Sequence, residues 1–416
     1  MRIVPSVFAV VCLAFVSSVI AAEPASDSGH WSRFRGPLGT GQSEATNLPK
    51  QLSADSVAWT SELPIRGHSS PILWENRIFL TGTTGSGESI ERRIVCIDRK
   101  NGNVLWNEVA ATGSGEKLHK MNSWATPSCA TDGQRVVAFF GAGGLHCFSV
   151  DGKPLWKRDL GAFPGAWGVG ASPIFHDELV IQNCDAEGDS FLLAVDKQTG
   201  KDVWRTPRQS KPRGGWSTPI VIDVNGHTEL VLNGEFGVTS YDPKTGKELW
   251  NCKSFNGRGT PAPVWGNGML YVVNGKSGDV YTVKPGGEGD VTESRMVWHT
   301  PRKGGRDLPS PALVGNVMVV IGMSGIATGY DALSGDELWK ERLGGNFSGS
   351  PVVAEGLVYA ASEEGELLVI KAEPKPDVIS RASVRVDGEE IFRSSIAIDQ
   401  GQLLLRSDRR LYCIGK

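Results

Sequence analysis

The sequence feature that most constrains the fold is a hairpin of about ten residues that recurs along the chain. Within it, an aspartate can accept hydrogen bonds from the backbone two residues on, and a glycine can adopt the positive φ that a tight turn requires. A chain that repeats one such hairpin is predicted to be a repeat protein built from β-units. The clearest copy is residues 241–250 (Tyr-Asp-Pro-Lys-Thr-Gly-Lys-Glu-Leu-Trp), and the others are residues 98–106, 196–204 and 331–339, with a shorter form at 151–156.

A second mark opens each unit: a small residue followed by proline, directly before an apolar run. Proline is tolerated at the first residue of a strand because its missing N–H breaks no ladder bond there. The spacing of 40 to 56 residues between openings matches one four-stranded propeller blade. We therefore predict an all-β fold, an eight-bladed β-propeller of four-stranded antiparallel blades. The openings are Ser70-Pro71, Thr126-Pro127, Ser172-Pro173, Thr218-Pro219, Thr260-Pro261, Ser310-Pro311, Ser350-Pro351 and, with isoleucine in place of proline, Ser395-Ile396.

The tryptophans that close the units predict how the ring is sealed. The first of them, Trp59, precedes the first opening, and the last unit ends at residues 411–414 without an outer strand. The strand around Trp59 is thus predicted to complete the last blade, which would join the two ends of the chain and remove the exposed sheet edges. We expect the tryptophans to be buried between blades as structural residues, each removing roughly 150–250 Å² from water. They are Trp59, Trp106, Trp156, Trp204, Trp250, Trp298 and Trp339.

The N-terminal residues predict targeting and domain organisation. Residues 1–22 are predicted to be a signal peptide, with Arg2 at its positive start, an apolar run over residues 7–19 and cleavage near Ala21 or Ala22. Residues 23–55 form an N-terminal extension whose aromatic side chains suggest that it packs on the fold, and residues 56–416 form the propeller. Since no other segment approaches the ~20 apolar residues of a membrane helix, we expect a periplasmic or secreted protein without a transmembrane segment.

The net charge narrows the class of binding partner. The formal net charge of −3 gives no reason to expect binding to nucleic acid or to an anionic membrane, and we expect a monomer.

Six cysteines remain after the predicted cleavage. Cys96, Cys147 and Cys413 occupy equivalent places in three units, which indicates small buried apolar positions and therefore free thiols. No disulfide pairing can be derived from the sequence.

The repeated openings and closings resemble the PQQ-like repeat, which is named after the quinoprotein dehydrogenases, over about residues 57–416. Eight-bladed members of that family include those dehydrogenases and the B subunit of the outer-membrane β-barrel assembly machine. The segment from Trp31 through Phe34-Arg35-Gly36-Pro37 to Gly41 further resembles the N-terminal signature of secreted bacterial PQQ-like propellers. The resemblance implies either a binding or scaffolding protein or an enzyme with pyrroloquinoline quinone (PQQ) and Ca²⁺ as cofactors.

Residues just before the innermost strand of each blade are expected to converge at one mouth of the central channel, a common position for ligands. Arginine offers forked donors to a carboxylate or phosphate, and tryptophan offers a stacking face. The sequence therefore predicts a basic and aromatic mouth that binds a small anionic ligand or a protein partner, whereas the alternative is that these groups pair locally or plug the channel. The predicted residues are Arg66, His68, Asn122, Trp124, Trp167, Arg213, Trp216, Arg258, Arg306, Asp307 and Arg393, with Phe347 beside them.

The function expected from these patterns is non-enzymatic binding or scaffolding outside the cytoplasm. The alternative is a PQQ-dependent alcohol or sugar dehydrogenase with a reduced site. Unlike the dehydrogenases that the repeat resembles, this chain has no adjacent cysteines and no long insertions between units. Carbohydrate hydrolysis would require paired carboxylates at the mouth, where the sequence securely places Asp307 only. No catalytic residue and no metal ligand are assigned.

Overall fold

The structure, a computed structural model, describes residues 30–208, 216–253, 258–275, 279–302, 308–373 and 375–415. It confirms the predicted all-β architecture, an eight-bladed propeller of antiparallel four-stranded sheets. The predicted signal peptide lies outside the described residues, so residues 1–22 remain a prediction. Within the described part of the chain, no helix is both long enough and apolar enough to span a bilayer.

The first four blades follow one another along the chain, and each runs from an inner strand at the channel to an outer strand at the circumference. The outer strand of blade four is also paired in parallel with the short strand Gly289–Asp290. The strands are Ile72–Trp74, Arg77–Ser86, Ser89–Asp98 and Val104–Gly113 in blade one; Ala130–Thr131, Arg135–Phe139, Leu145–Ser149 and Pro154–Arg158 in blade two; Ile174–His176, Leu179–Asn183, Phe191–Asp196 and Asp202–Pro207 in blade three; and Ile220–Val224, His227–Gly234, Gly237–Tyr241 and Glu248–Lys253 in blade four.

The last four blades have the same strand order, and blade eight takes its outer strand from the N-terminal part of the chain. Helical structure in the described residues is confined to the 3-10 turns Ala54–Ser56 and Gly141–Gly143 and the single α-helical turn Thr292–Arg295. The strands are Val264–Gly266, Met269–Val273, Val280–Val283 and Met296–Thr300 in blade five; Ala312–Val314, Val317–Ile321, Ile326–Asp331 and Glu337–Arg342 in blade six; Val352–Ala354, Leu357–Ala361, Glu366–Lys371 and Asp377–Ser383 in blade seven; and Ala397–Asp399, Gln402–Arg406, Arg410–Ile414 and Val57–Glu62 in blade eight.

The ring is sealed as the sequence predicts. Val57–Glu62 pairs antiparallel with Arg410–Ile414, with Thr60 opposite Tyr412. The backbone N–H of Gly415 then donates to the carbonyl of Ser56 at 2.9 Å. The two ends of the propeller are therefore held side by side, and blade eight exposes no more sheet edge than the other blades.

The recurrent hairpin adopts the predicted turn. The carboxylate of Asp242 accepts hydrogen bonds from the backbone N–H groups of Lys244 and Thr245, at 2.8 and 3.0 Å, and Gly246 has φ of 70°. Asp331 makes the same two bonds in blade six. These turns bring a glycine against the tryptophan of the preceding blade, because a Cβ on Gly246 would lie 2.4 Å from the Trp204 ring.

The closing tryptophans dock each blade onto the next one. In six of them the indole Nε1–H donates to a backbone carbonyl of the following blade, at 3.0 Å in every case. Four of the seven tryptophans are buried (Trp204, Trp250, Trp298 and Trp339), whereas Trp59, Trp106 and Trp156 are only partly buried. Docking between blades is therefore confirmed, with burial complete for four of the tryptophans and partial for the other three.

A ring of hydroxyl groups links the inner strands around the channel. Its positions lie two residues before each inner strand, and each backbone N–H donates to the side-chain hydroxyl at the ring position of the following blade, at 2.8–3.0 Å. Alanine at one position has no hydroxyl to accept such a bond, so the junction between blades four and five lacks it. This hydroxyl ring comprises Ser70, Ser128, Ser172, Thr218, Ala262, Ser310, Ser350 and Ser395.

The hydroxyl ring shows that two of the eight predicted openings are not equivalent in position to the others. In blades two and five the Thr-Pro openings, Thr126-Pro127 and Thr260-Pro261, lie two residues ahead of the ring position. Ser128 and Ala262 take the place that the opening residue takes in the other blades. Because side chains along an extended chain alternate in direction with a period of two, a two-residue shift still points the threonines at the channel.

The hydroxyl ring gives a matched pair of stability predictions. Ser310→Ala leaves the buried N–H of Ala262 without its acceptor and is expected to lower the free energy of unfolding by about 1–2 kcal/mol. Ala262→Ser supplies the missing acceptor for the N–H of Thr218 and is expected to raise it by about 0.5–1.5 kcal/mol. Urea unfolding of both variants measures the two shifts, and equal midpoints for both variants and the parent would show that the ring adds no stability.

The N-terminal extension lies in the channel over residues 31–43. Its carbonyls at Trp31 and Ser32 accept N–H bonds from the inner strands of blades one and two, and its short strand Gln42–Ser43 pairs in parallel with Val352–Ala354 of blade seven. The buried guanidinium of Arg35 donates to the carbonyls of Thr40, Pro311 and Pro351 at 2.6–3.1 Å. These contacts lie one to three residues beyond the hydroxyl ring, so the extension crosses and fills the channel on that side.

The cysteines follow the sequence-based expectation. All six cysteines of the described chain are free and buried: Cys96, Cys129, Cys147, Cys184, Cys252 and Cys413. Burial raises the pKa of each of these thiols, to about 12 for Cys96 and about 11 for Cys413, so the reactive thiolate is disfavoured.

Candidate functional site

A cavity of about 390 Å³ opens at the mouth of the channel, on the side of the hydroxyl ring opposite the N-terminal extension. Five hydroxyl-ring serines line its inner end, and Phe34 of the extension lies beside them. A second level of side chains, two residues before the ring position in each blade, forms the wall. That level comprises His68, Thr126, Gly170, Trp216, Thr260, Leu308, Ser348 and Arg393.

Trp167 and Trp216 form an aromatic part of the cavity wall, and neighbouring loops hold them in place. Asn122, from the connection between blades one and two, donates through Nδ2 to the carbonyls of Trp167 and Val169, at 2.7 and 3.1 Å. His119 packs against Trp167 with ring centroids 4.7 Å apart. The indole of Trp216 donates to the carbonyl of Gly168 at 3.0 Å. These contacts fix both tryptophans at the cavity before any ligand binds.

Arg258 is the cation that the aromatic wall holds. Its guanidinium carbon lies 4.5 Å from the ring centroid of Trp167 and 5.9 Å from that of Trp216, within cation–π range. Its Nε is buried and has no hydrogen-bond partner among the described residues. No carboxylate of the described chain lies within salt-bridge distance of this guanidinium.

Arg393, elsewhere on the wall, has local partners. Its Nε lies 3.3 Å from Oε1 of Glu363, and its Nη1 donates to the carbonyl of Lys120 at 3.3 Å. Glu363 also accepts a short hydrogen bond from the hydroxyl of Ser348. The Glu363 carboxylate therefore offsets the charge of Arg393, and local pairing, the alternative noted above, applies to this residue.

His68 is a neutral member of the wall. Burial, followed by the charges of Arg393 and Arg406, lowers the pKa of its imidazole to about 3, with Asp408 acting in the opposite direction. Its Nδ1 is buried without a hydrogen-bond partner among the described residues. At neutral pH His68 can therefore offer a ligand one neutral donor or acceptor but no charge.

His68 gives a pH-dependent stability prediction. Because its pKa is about 6.5 in the unfolded chain and about 3 in the folded one, the unfolded state binds the proton first as the pH falls. Folding should therefore lose roughly 3 kcal/mol from this group between pH 7 and pH 4 and nothing above pH 7. In a comparison of denaturant unfolding at the two pH values, His68→Gln should lose less stability than the parent chain by that amount, and an identical loss would contradict the assigned burial.

The structure brings some of the predicted site residues together and separates others. His68, Asn122, Trp167, Trp216, Arg258 and Arg393 line the cavity. Arg66 is exposed and pairs with Asp408 at 2.7 Å, Trp124 donates to the carbonyl of Glu116 at 2.8 Å, and Phe347 is buried in the core between blades six and seven. Arg213, Arg306 and Asp307 lie outside the described residues. Ligand binding by this set remains a prediction.

Several lining residues were missed by the sequence analysis. Phe34 comes from the extension, and nothing in the repeat indicates that the extension enters the channel. His119 and Met121 lie on a loop that is longer in this unit than in most others. The hydroxyl groups could have been found, because a fixed offset of two residues from each inner strand relates all eight ring positions.

Comparisons with known proteins place the fold in a family. Residues 50–183 and 188–414 match the family model PQQ_2, described as outer membrane protein assembly factor BamB. The chain is 24% identical over 344 residues to polyvinylalcohol dehydrogenase of a Pseudomonas species, covering 65% of this chain and 51% of that protein. It is 23% identical over 361 residues to the outer membrane protein assembly factor BamB of Burkholderia pseudomallei, covering 74% of this chain and 85% of that one.

A solved structure supports the same fold. The structure of a europium-containing methanol dehydrogenase superposes with a TM-score of 0.68 at 12% identity, covering 95% of this chain and 99% of that one. At this identity the likeness concerns the fold alone. The chain spans about half the length of the polyvinylalcohol dehydrogenase that it matches, so similarity to that protein does not carry its activity.

The described lining does not match the needs of a Ca²⁺-bound quinone. Ca²⁺ takes six to eight oxygen ligands, usually including carboxylates. The described residues that line the cavity include no aspartate or glutamate. Among all described residues, no group of three or more His, Cys, Asp or Glu side chains is placed to hold a metal ion.

Proposed function

The chain belongs to the PQQ_2 family of β-propellers, and we propose that it is a non-enzymatic binding protein that takes an anionic ligand at the channel mouth. The ligand is a small anion or an acidic group that a protein partner presents. The observation that carries this proposal is Arg258, which two tryptophans hold in the cavity and which has no carboxylate partner among the described residues. A guanidinium of this kind can donate hydrogen bonds to a carboxylate or phosphate.

The location proposed for this function is outside the cytoplasm, in the periplasm or beyond. The support is the N-terminal segment, in which a basic start, an apolar run and small residues precede a change of composition at Glu23. Cell fractionation followed by N-terminal sequencing tests this point. A chain in the periplasmic or secreted fraction that begins near Glu23 supports it, and a chain confined to the cytoplasmic fraction with Met1 intact contradicts it.

The second candidate function is a PQQ-dependent alcohol or sugar dehydrogenase. The relative named as a polyvinylalcohol dehydrogenase favours it, and so do the tryptophans of the cavity, which offer flat surfaces to a planar cofactor. PQQ with Ca²⁺ would be the cofactor. The described lining supplies no carboxylate for the ion, so this candidate ranks below simple anion binding.

A thermal-shift screen tests the binding proposal directly. The purified protein is exposed to small carboxylates, phosphates, acidic peptides, and PQQ with and without Ca²⁺. We expect at least one anion to raise the melting temperature, and we expect this effect to disappear in Arg258→Gln. Arg66→Gln is the matched control, because Arg66 is an arginine at the same mouth that lies outside the cavity. Stabilisation that Arg258→Gln leaves unchanged would contradict the proposal.

A further inference from the structure

The Arg258 guanidinium marks where the charged group of a ligand would bind. The planes of Trp167 and Trp216 stand at 90° with centroids 6.5 Å apart, and Arg258 lies against both. Stacking of this kind fixes the plane of a guanidinium and leaves its N–H edges free to donate. Since Arg393 is offset by Glu363, the described lining offers one uncompensated cation, which matches one carboxylate.

The inner end of the cavity offers hydroxyl groups. Five hydroxyl-ring residues line it: Ser70, Ser172, Ser310, Ser350 and Ser395. Each is at least nine-tenths buried, and each accepts one N–H bond from the preceding blade. Their own O–H groups have no acceptor among the described residues, so they can donate to polar atoms of a ligand.

Part of the remaining lining is apolar and suits the body of a small ring. The indole of Trp216 and the side chains of Phe34, Leu308 and Met323 line the same cavity as Arg258 and the hydroxyl groups. The volume of about 390 Å³ lies near the lower end of the usual range for small-molecule sites, about 300–1,000 Å³. A cavity of this size suits a compact molecule better than a folded surface of a partner.

We propose that the cavity binds a small cyclic monocarboxylic acid that carries hydroxyl groups. Its carboxylate lies on Arg258, its ring lies against Trp216, and its hydroxyl groups face the hydroxyl ring. This inference rests on the proposed anion-binding function and narrows it to a ligand class. Both saturated sugar acids and aromatic hydroxy acids have this chemistry, and the arms of the test separate them.

Isothermal titration with glucuronate and with 4-hydroxybenzoate tests the ligand class. We expect at least one of these acids to bind, and we expect its methyl ester to bind at least about tenfold more weakly because the charged hydrogen bonds to Arg258 are lost. Benzoate should bind several-fold more weakly than 4-hydroxybenzoate if the aromatic arm is the correct one. Arg258→Gln should weaken the acid by at least about tenfold, and Arg66→Gln should leave its affinity unchanged.

The outcomes separate this inference from the function on which it rests. If neither ring acid binds, or if acid and ester bind equally, the proposed ligand class is wrong. If, in that case, phosphate, an acyclic carboxylate or an acidic peptide binds and loses affinity in Arg258→Gln, the anion-binding function stands without the class. If no anion shows binding that depends on Arg258, both proposals fall.

Discussion

Trp250→Ala is expected to lower the free energy of unfolding by about 3–5 kcal/mol. Trp250 is fully buried and belongs to the core between blades four and five. Its Nε1 donates to Oε2 of Glu229 at 2.7 Å, within its own blade, whereas the other closing tryptophans bond to the next blade. Removing the indole leaves a cavity, and it leaves the buried carboxylate with Ser240 as its remaining side-chain donor.

Denaturant unfolding monitored by circular dichroism measures this loss. Trp250→Phe keeps most of the volume and removes the donor, so it separates the hydrogen bond from the packing. Leu338→Ala is the matched control, because Leu338 is a large apolar residue on the outer strand of blade six that is 49% exposed. We expect the control to change the free energy by less than about 0.5 kcal/mol. A loss for Trp250→Ala no larger than for the control would contradict the structural role of this tryptophan.

Removing the channel-filling extension is expected to cost roughly 5 kcal/mol or more. A chain that begins at Ser53 loses the buried Trp31, which packs in the core shared by blades one, seven and eight. It also deprives the backbone N–H groups of Leu73, Thr131 and Val353 of their acceptors. Since Phe34 is lost as well, the cavity opens at its inner end, and ligand affinity should fall together with stability.

A chain that begins at His30 is the control for this truncation, because it keeps every described contact of the extension. The comparison is made by denaturant unfolding and, once a ligand is known, by titration. If the chain that begins at Ser53 unfolds at the same denaturant concentration as the control, the extension contributes no stability and the account of the filled channel is wrong.

Much of the fold could be predicted because each blade repeats the same local signals. The eight openings and their spacing were sufficient to predict eight blades, and the place of Trp59 before the first opening was sufficient to predict the closure of the ring, since strand starts, turns and edge pairing depend on local sequence. The extension could not be placed in the same way. Its carbonyls and the guanidinium of Arg35 bond to several blades at once, and such contacts exist only once the ring has closed.

The sequence predicted the location of the site at the channel mouth better than it predicted which side chains line it. The rule that residues before the inner strands face the channel identified His68, Trp216 and Arg393, but the direction of a side chain depends on register. Arg66 and Trp124, both four residues before the ring position, turn away from the cavity, whereas Arg258 at the same offset faces it. Arg258 lies over the rings of Trp167 and Trp216, and the repeat pattern alone does not predict these contacts.

The most direct test of the account is a titration with PQQ, with and without Ca²⁺, monitored by tryptophan fluorescence in the parent chain and in Arg258→Gln. Trp167 and Trp216 line the cavity and report on a bound quinone. If the mouth is an anion site without a metal, any quenching should be the same with and without Ca²⁺ and should weaken in Arg258→Gln. Saturable quenching that Ca²⁺ strengthens and that Arg258→Gln leaves unchanged would contradict the account and indicate a quinone-dependent dehydrogenase.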